Sequence, residues 1–406
     1  MAVAGPAGAI MPAVAIPGEH PSTFSVAGMF AGIGGLERGL HAAGGRAELL
    51  CECWPPACSV LRARFPGVDL AEDVRSLERL PEVDVVTAGF PCTDLSQAGR
   101  TVGIHGRESS LVNHLFRLLE GSSPRWVVVE NVRNMLFLDA GAAMDHLVDR
   151  LEALGYRWAY RLVDSRFTGV PQRRQRVILV ASKLEDPSRV LFADDAGEPG
   201  PGWFRDDVHG FYWTEGLRGL GWAQDAVPTL KGGSTIGIPS APAVWIRDRA
   251  PGAAIGTPGI GDAEQMQGFP VDWTEPAEQV ARPSIRWKLV GNAVTVGVAE
   301  WLGRRLAHPG EPRVAGRVAL VGDHRWPVAA RGERGRRWAV DVSMWPERRP
   351  YRHLLDLLDE EAFQPLSKRA IDGFLGRVER SSLRFDERFR LAVKEHAALA
   401  SPRERS

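Results

Sequence analysis

Short apolar runs alternate with helical periodicity from residue 24 to residue 182. "FSVAGMF" predicts a strand and Leu36–Ala43 a short helix. "AELLCEC" predicts the next strand, followed by a helix over Pro56–Phe65. "VDVVTAGF" is a third strand. Ser110–Glu120 is amphipathic, with Leu111, Leu115, Leu118 and Leu119 on one side. "RWVVVENV" predicts another buried strand, Met144–Leu154 a helix closed by Gly155, and "YRWAYRLVDS" with "RVILVAS" a final strand pair. Strands alternating with helices imply an α/β fold with a mostly parallel sheet covered on both faces.

The pattern changes after Ser182. Residues 183–262 are rich in Gly, Pro and Trp, including Trp203, Trp213, Trp222 and Trp245. Their weak periodicity predicts an irregular second unit with short strands. A helix returns over Thr295–Ala307, residues 310–350 are rich in Arg and Pro, and 351–400 look helical. The Ala/Pro-rich residues 1–23 lack a basic start and read as a disordered leader.

A chain of 406 residues has room for two or three packed units. No apolar run approaches the roughly 18 residues of a membrane span, so no membrane association is expected. Net charge is zero, but residues 311–406 hold 20 Lys/Arg against 15 Asp/Glu, a local +5, which leaves −5 on residues 1–310. That modest excess hints at a polyanion partner, but a solvated surface is the favoured reading. Four cysteines, three of them at Cys51, Cys53 and Cys58, do not form a secreted disulfide framework. They read as reduced thiols of a cytoplasmic protein, and no metal site is expected.

Candidate chemistry gathers at strand ends. Gly32, Gly34 and Gly35 follow the first strand and let backbone approach a ligand closely. A dinucleotide fingerprint would place its third glycine where Glu37 stands, and an acid there opposes a pyrophosphate. A nucleoside without phosphates fits better. Glu52 ends the second strand, where a carboxylate can hold ribose hydroxyls, and Asp73 follows at a place suited to an adenine amino group. S-adenosylmethionine is the natural candidate.

Cys92 follows Pro91 at the end of the third strand, in "GFPCTDLSQAG". Ligands of open α/β sheets bind outside such ends. A cysteine filling a turn is the competing reading. Glu130 ends "VVVENV" at the neighbouring strand's mouth, and burial there demands a partner or a proton. In "QRRQR", Arg174 and Arg176 are two apart, so an extended segment sets both on one face.

With "FAGIGG", "GFPC", "ENV", "QRRQR", "MQGFPVDW" and "GNAV" in this order across residues 30–294, the chain resembles the DNA (cytosine-5)-methyltransferases. The resemblance implies a Rossmann-like S-adenosylmethionine-dependent methyltransferase sheet with a smaller, irregular target recognition domain and a C-terminal extension. It divides the chain into a catalytic domain over 24–182, a recognition domain over 183–283, a return to the catalytic domain over 284–309, and an extension of unknown role over 310–406. It implies that Phe30, Gly32, Ile33, Gly35, Glu52, Asp73, Val74, Pro91, Leu111, Asn292 and Ala293 bind the methyl donor. Cys92 is then the nucleophile that adds to carbon 6 of an extruded cytosine, Glu130 contacts that base, and Arg174 and Arg176 organise the site.

In "VPTLKGGSTIGIPSAPAVWIRD", Thr229, Lys231, Ser234 and Thr235 sit among glycines and are the expected DNA contacts. Double-stranded DNA is the expected substrate of a monomer, with a cognate restriction endonuclease as candidate partner. A transfer RNA substrate and a non-catalytic DNA-binding regulator are the alternatives. Two departures from the family pattern stand out. Thr93 replaces the usual Gln after the Pro-Cys pair, with Gln97 further on. Gly261 stands where an arginine is usual, which puts local packing there in doubt.

Overall fold

The computed structural model describes residues 23–90, 111–217, 219–232, 241–313, 318–320 and 325–400. The expected leader over residues 1–22, and Pro91, Cys92, Thr93, Gln97, Ser234 and Thr235, lie outside the described residues.

The strands form where the apolar runs placed them, with one addition, the three-residue Asp69–Ala71, which no apolar run marked. β1 (Phe24–Met29), β2 (Gly45–Cys51), β3 (Asp69–Ala71), β4 (Val85–Ala88) and β5 (Trp126–Val132) run parallel in the spatial order β5-β4-β1-β2-β3. Helices at Gly35–Ala42, Pro55–Arg64, Leu111–Glu120 and Ala142–Ala153 lie between or after them. Side chains alternate between the faces with period two. Val86, Ala88, Val127 and Val129 join one core with Leu115, Phe116, Leu147 and Leu151. Val85, Trp126 and Val128 face the opposite core, which Trp301 and Leu302 of the Val296–Ala307 helix complete.

β6 (Arg157–Asp164), β7 (Gln172–Arg173) and β8 (Gln175–Ser182) follow. β8 enters between β5 and β6, antiparallel to both. The smaller unit holds β9 (Val208–Phe211), β10 (Ala223–Gln224), β12 (Ala243–Ile246) and β13 (Ile255–Thr257), while β11 (Val227–Pro228) pairs with β7 and ties the two units together. The last hundred residues serve both sheets. β14 (Val318–Ala319), β15 (Ala329–Glu333) and β16 (Arg336–Ala339) extend the large sheet beyond β6, and β17 (Gln364–Pro365) extends the small one beyond β13.

The mostly parallel sheet read from the alternation is therefore mixed. Among the described residues, four neighbouring pairs are parallel and five antiparallel. The connection from β6 to β8 is too short for a parallel crossover, so that edge must run antiparallel. The helices Lys368–Glu379 and Glu387–Leu399 place Ile371, Phe374, Phe389 and Val393 against Phe211, Trp245 and Ile255 in the core of the smaller unit. Each buried phenylalanine contributes about 2–3 kcal/mol of transfer free energy.

Candidate active site

Four parallel strands and one antiparallel strand deliver their terminal residues to one cavity of about 360 Å³. Phe30 and Gly32 follow β1, Glu52 follows β2, Gly89 follows β4, and Glu130 and Asn131 end β5. β8 runs the other way, so its first residues lie at the same edge, with Arg176 opposite Val132. Ile33, Leu111, Arg174, Asn292 and Ala293 line the same cavity.

The turn after β1 is shaped by backbone conformation. Gly32 has φ 57° and a Cβ there would meet nothing within 4 Å, so its backbone faces open space. Phe30 also has positive φ, at 56°, an uncommon state for a bulky residue and one found where a site constrains the chain. Glu52 stabilises the turn: Oε2 accepts from Gly32 N at 2.8 Å and Oε1 from Trp54 N at 2.8 Å. Burial raises the Glu52 pKa, while those N–H groups pull it back. Each oxygen keeps a lone pair for a further donor.

Gly35 has a different duty. A Cβ there would lie 2.5 Å from the Val294 carbonyl oxygen, so glycine is required for the helix to pack on the "GNAV" segment. Asp73 lies outside the residues lining the cavity, half-buried and bonded through both carboxylate oxygens to Arg75 Nε at 2.9 Å. Val74 is buried in the adjoining core.

Glu130 and Arg176 form a buried ion pair, Nε to Oε1 at 3.0 Å, with side chains 10% and 11% exposed. Oε1 has no aligned hydrogen-bond donor among the described residues, so the pair is close without being locked. Arg174 is committed to backbone: Nη2 donates to Ala293 O at 2.6 Å, and Nη1 to Leu230 O and Gly291 O at 3.2 and 3.3 Å. Burial drives its pKa well down, with Arg176 adding and Glu130 opposing. The two arginines share a face as alternation required, but one clamps the fold and the other faces the acid.

The described cysteines are poor nucleophiles. Burial pushes the Cys51 thiol up to about 12 and the Cys58 thiol up to about 11, with Glu52 adding to both. Cys53 lines the cavity and is also raised, again chiefly by burial.

A second cavity, of about 700 Å³, adjoins the first and shares Val132, Arg176, Gly291 and Asn292 with it. Thr229 and Lys231 line it, together with Arg133, Arg173, Tyr212 and Glu215. Thr229 Oγ1 donates to Arg173 O at 2.9 Å. Lys231 pairs with Glu215 and lies 3.8 Å from the centre of the Tyr212 ring.

"MQGFPVDW" acts as scaffold. Gln267 Nε2 donates to Val290 O and Ala293 O, Thr295 Oγ1 donates to Gln267 Oε1, and Trp273 Nε1 donates to Ile33 O at 3.0 Å. These bonds tie the "GNAV" segment to the glycine turn. At Gly261 a Cβ would lie 3.1 Å from Val271 Cγ1, so the position is closely packed. The guanidinium of this region comes from Arg286, which meets Glu264, Asp272 and Glu278 at 3.0 Å each.

Several lining residues were not singled out from sequence. Asn131 lay inside the quoted "ENV", and its Nδ2 donates to Phe90 O at 3.1 Å. Arg173 lay inside "QRRQR", where the same alternation assigns it to the opposite face from Arg174. Tyr212 and Trp54 carried no such signal.

A family model of the C-5 cytosine-specific DNA methylases matches residues 24–196. The type II methyltransferase M2.BsuMI of Bacillus subtilis is 45% identical over 367 residues, covering 87% of this chain and 93% of that protein. The type II methyltransferase M.MspI of a Moraxella species is 26% identical over 309 residues, 71% of each chain. Among solved structures, the S. pombe Dnmt2 methyltransferase superposes with a TM-score of 0.52 at 15% identity, covering 70% of this chain and 98% of that one, a likeness of fold.

Proposed function

The chain belongs to the C-5 cytosine-specific DNA methylases, and on that premise we propose that Cys92, Glu130, Arg174 and Arg176 carry cytosine-5 methylation of duplex DNA. One observation supports this most: Glu130 and Arg176 share a single cavity with Phe30, Gly32, Glu52 and Asn292 at the C-terminal ends of the parallel strands. The acid for the base and the residues for the donor open onto the same space.

The donor side fits a nucleoside sulfonium. Gly32 leaves room for close approach, Phe30, Trp54 and Leu289 offer apolar surface, and Glu52 retains acceptor capacity for ribose hydroxyls. S-adenosylmethionine, when bound, supplies the methyl group that carbon 5 acquires. Among the described residues, no cluster of His, Cys, Asp and Glu could hold a metal ion.

The base enters extruded, because carbon 6 cannot be reached in a stacked duplex. The Cys92 thiolate forms a bond to carbon 6, and the electron pair moves towards ring nitrogen 3. The Glu130 carboxyl hydrogen-bonds that nitrogen and offsets the developing charge. Arg176 sets the orientation of Glu130, and Arg174 holds the Leu230, Gly291 and Ala293 carbonyls that shape the cavity wall. After carbon 5 is methylated it loses its proton, the carbon–sulfur bond breaks, and Cys92 leaves as thiolate. Attack and elimination split one difficult substitution into two easier steps.

The recognition role falls to 183–283 together with 364–399, which complete one core. Thr229 and Lys231 line the larger cavity, and Ser234 and Thr235, outside the described residues, are proposed with them as DNA contacts. A cognate endonuclease is the fitting partner. The test supplies purified protein with tritiated S-adenosylmethionine and mixed duplex DNA, with RNA as a parallel arm. Transfer to DNA, and a stalled covalent adduct on 5-fluorocytosine duplexes, is the expected result. Intact DNA binding with neither product overturns the reading.

A further inference from the structure

Tyr212 is 3% exposed, lines the larger cavity, and its hydroxyl has no hydrogen-bond partner among the described residues. A buried phenol without a partner is costly, and it marks a place that another molecule completes. Backbone hydrogen bonds and close packing fix its place. Tyr212 N donates to Leu220 O at 2.7 Å, and Glu215 N donates to Tyr212 O at 3.1 Å. Gly221 at φ 66° permits the ring to lie against it, where a Cβ would stand 2.8 Å from Tyr212 Cδ2. From the C-terminal extension, Arg377 donates to Trp213 O and Glu215 O at 2.7 and 3.0 Å and braces this turn.

Lys231 covers the Tyr212 ring and pairs with Glu215, both side chains being about two-fifths exposed (44% and 40%). Exposed pairs of this kind are weak and readily exchanged. Arg133, Arg173 and Arg176 line the same cavity, so its field favours an anion.

We propose that Tyr212 and Lys231 form a phosphate-binding site for the target strand beside the extruded cytosine, with Glu215 occupying Lys231 until DNA replaces it. The proposal rests on the methyltransferase reading, because the adjoining cavity receives the base and this one the backbone. A non-bridging phosphodiester oxygen takes the place of the Glu215 carboxylate at Lys231 Nζ. Lys231 then shifts off the ring, and the Tyr212 hydroxyl donates to the same phosphate. Burial, with Glu215 adding, holds the phenol above its ordinary pKa, which keeps it a donor. The C-terminal extension thereby gains a task, since Arg377 holds the turn that presents both Tyr212 and Glu215.

The test measures Kd for mixed-sequence duplex DNA with wild type, Tyr212→Phe and Glu215→Gln, with S-adenosylmethionine binding as the check on folding. Tyr212→Phe keeps the ring and should weaken DNA binding roughly ten- to a hundredfold, the loss of one hydrogen bond to a charged group. Glu215→Gln should tighten it a few fold, since the competitor for Lys231 is gone; a merely structural turn would not give opposite signs. On the methylated site, once mapped, a single methylphosphonate beside the target cytosine should weaken wild type more than Tyr212→Phe does, since Lys231 loses its anion as well, and should weaken Tyr212→Phe by less than it weakens wild type. Unchanged affinity in Tyr212→Phe, weaker binding in Glu215→Gln, or additive losses at every methylphosphonate overturns the proposal. Binding is read without turnover, so a wild-type protein that transfers no methyl group counts against the catalytic reading while the Tyr212 comparison still decides the phosphate site.

Discussion

In the large sheet, the residues at the candidate active site follow their strands directly: Phe30 after β1, Glu52 after β2, Glu130 at the end of β5, Arg176 at the start of β8. In the smaller sheet, β13 ends at Thr257 and its partner β17 begins at Gln364. Phe211 meets Phe374 and Phe389 at centroid distances of 5.1 and 5.0 Å across that gap in sequence. The lining of the candidate site is thus placed by local strand-to-loop geometry, whereas the smaller unit, proposed to meet DNA, is placed by long-range packing. A site built the first way can keep its residues in short motifs. A surface built the second way can vary its loops so long as a distant helix supports them.

The largest effect is expected at the proposed nucleophile. Cys92→Ala should reduce methyl transfer by roughly 10⁴-fold or more while leaving donor and DNA affinity in place, read by filter binding and tritium incorporation. An active variant would place the chemistry elsewhere. Next, Glu130→Gln replaces the carboxyl proposed to meet ring nitrogen 3 with an amide, which cannot exchange a proton there, and should lower kcat about 10²- to 10³-fold with KM for the donor unchanged. A matching rise in that KM would mean that the acid shapes the donor pocket instead.

Phe389→Ala attacks the other region. It opens a cavity in the small core and should cost about 3–5 kcal/mol. Denaturant melting should then show DNA binding lost before S-adenosylmethionine binding. Loss of both together would show one cooperative unit and dissolve the contrast.

The smallest effect concerns Glu37, buried beneath the glycine turn. Its Oε1 accepts from Thr87 Oγ1 at 3.0 Å, and burial lifts its pKa from 4.5 to about 7. The folded state holds that proton where the unfolded chain has released it. Its stabilising contribution is therefore complete below about pH 4.5 and lost as pH rises to about 7. Glu37→Gln should flatten that window and gain about 1–3 kcal/mol over wild type above it, measured by denaturant midpoint against pH. A wild-type profile with no slope there would remove Glu37 as a titrating group.

Much of the large sheet was legible because each strand carries its own signal. Unbroken apolar runs in "VDVVTAGF" and "RWVVVENV" suffice to place β4 and β5, which are buried on both faces, and Glu130 at the end of the second run marks its mouth. Arg174 and Arg176 were correctly set on one face, yet their different duties were not legible. Only the fold brings the Leu230, Gly291 and Ala293 carbonyls to Arg174. Glu52 was expected beside the ligand and also holds the Gly32 amide, whereas Asp73 turned to Arg75, two positions along.

The sequence by itself determined the α/β architecture, the order of the motifs and the strand ends at which Glu52 and Glu130 stand, because periodicity and spacing are local properties of a chain. The tertiary structure alone decided the mixed strand directions, the alliance of residues 364–399 with the smaller sheet, and the covering of Tyr212 by Lys231. Those depend on which distant surfaces bury each other, and burial energy carries no record of separation along the chain.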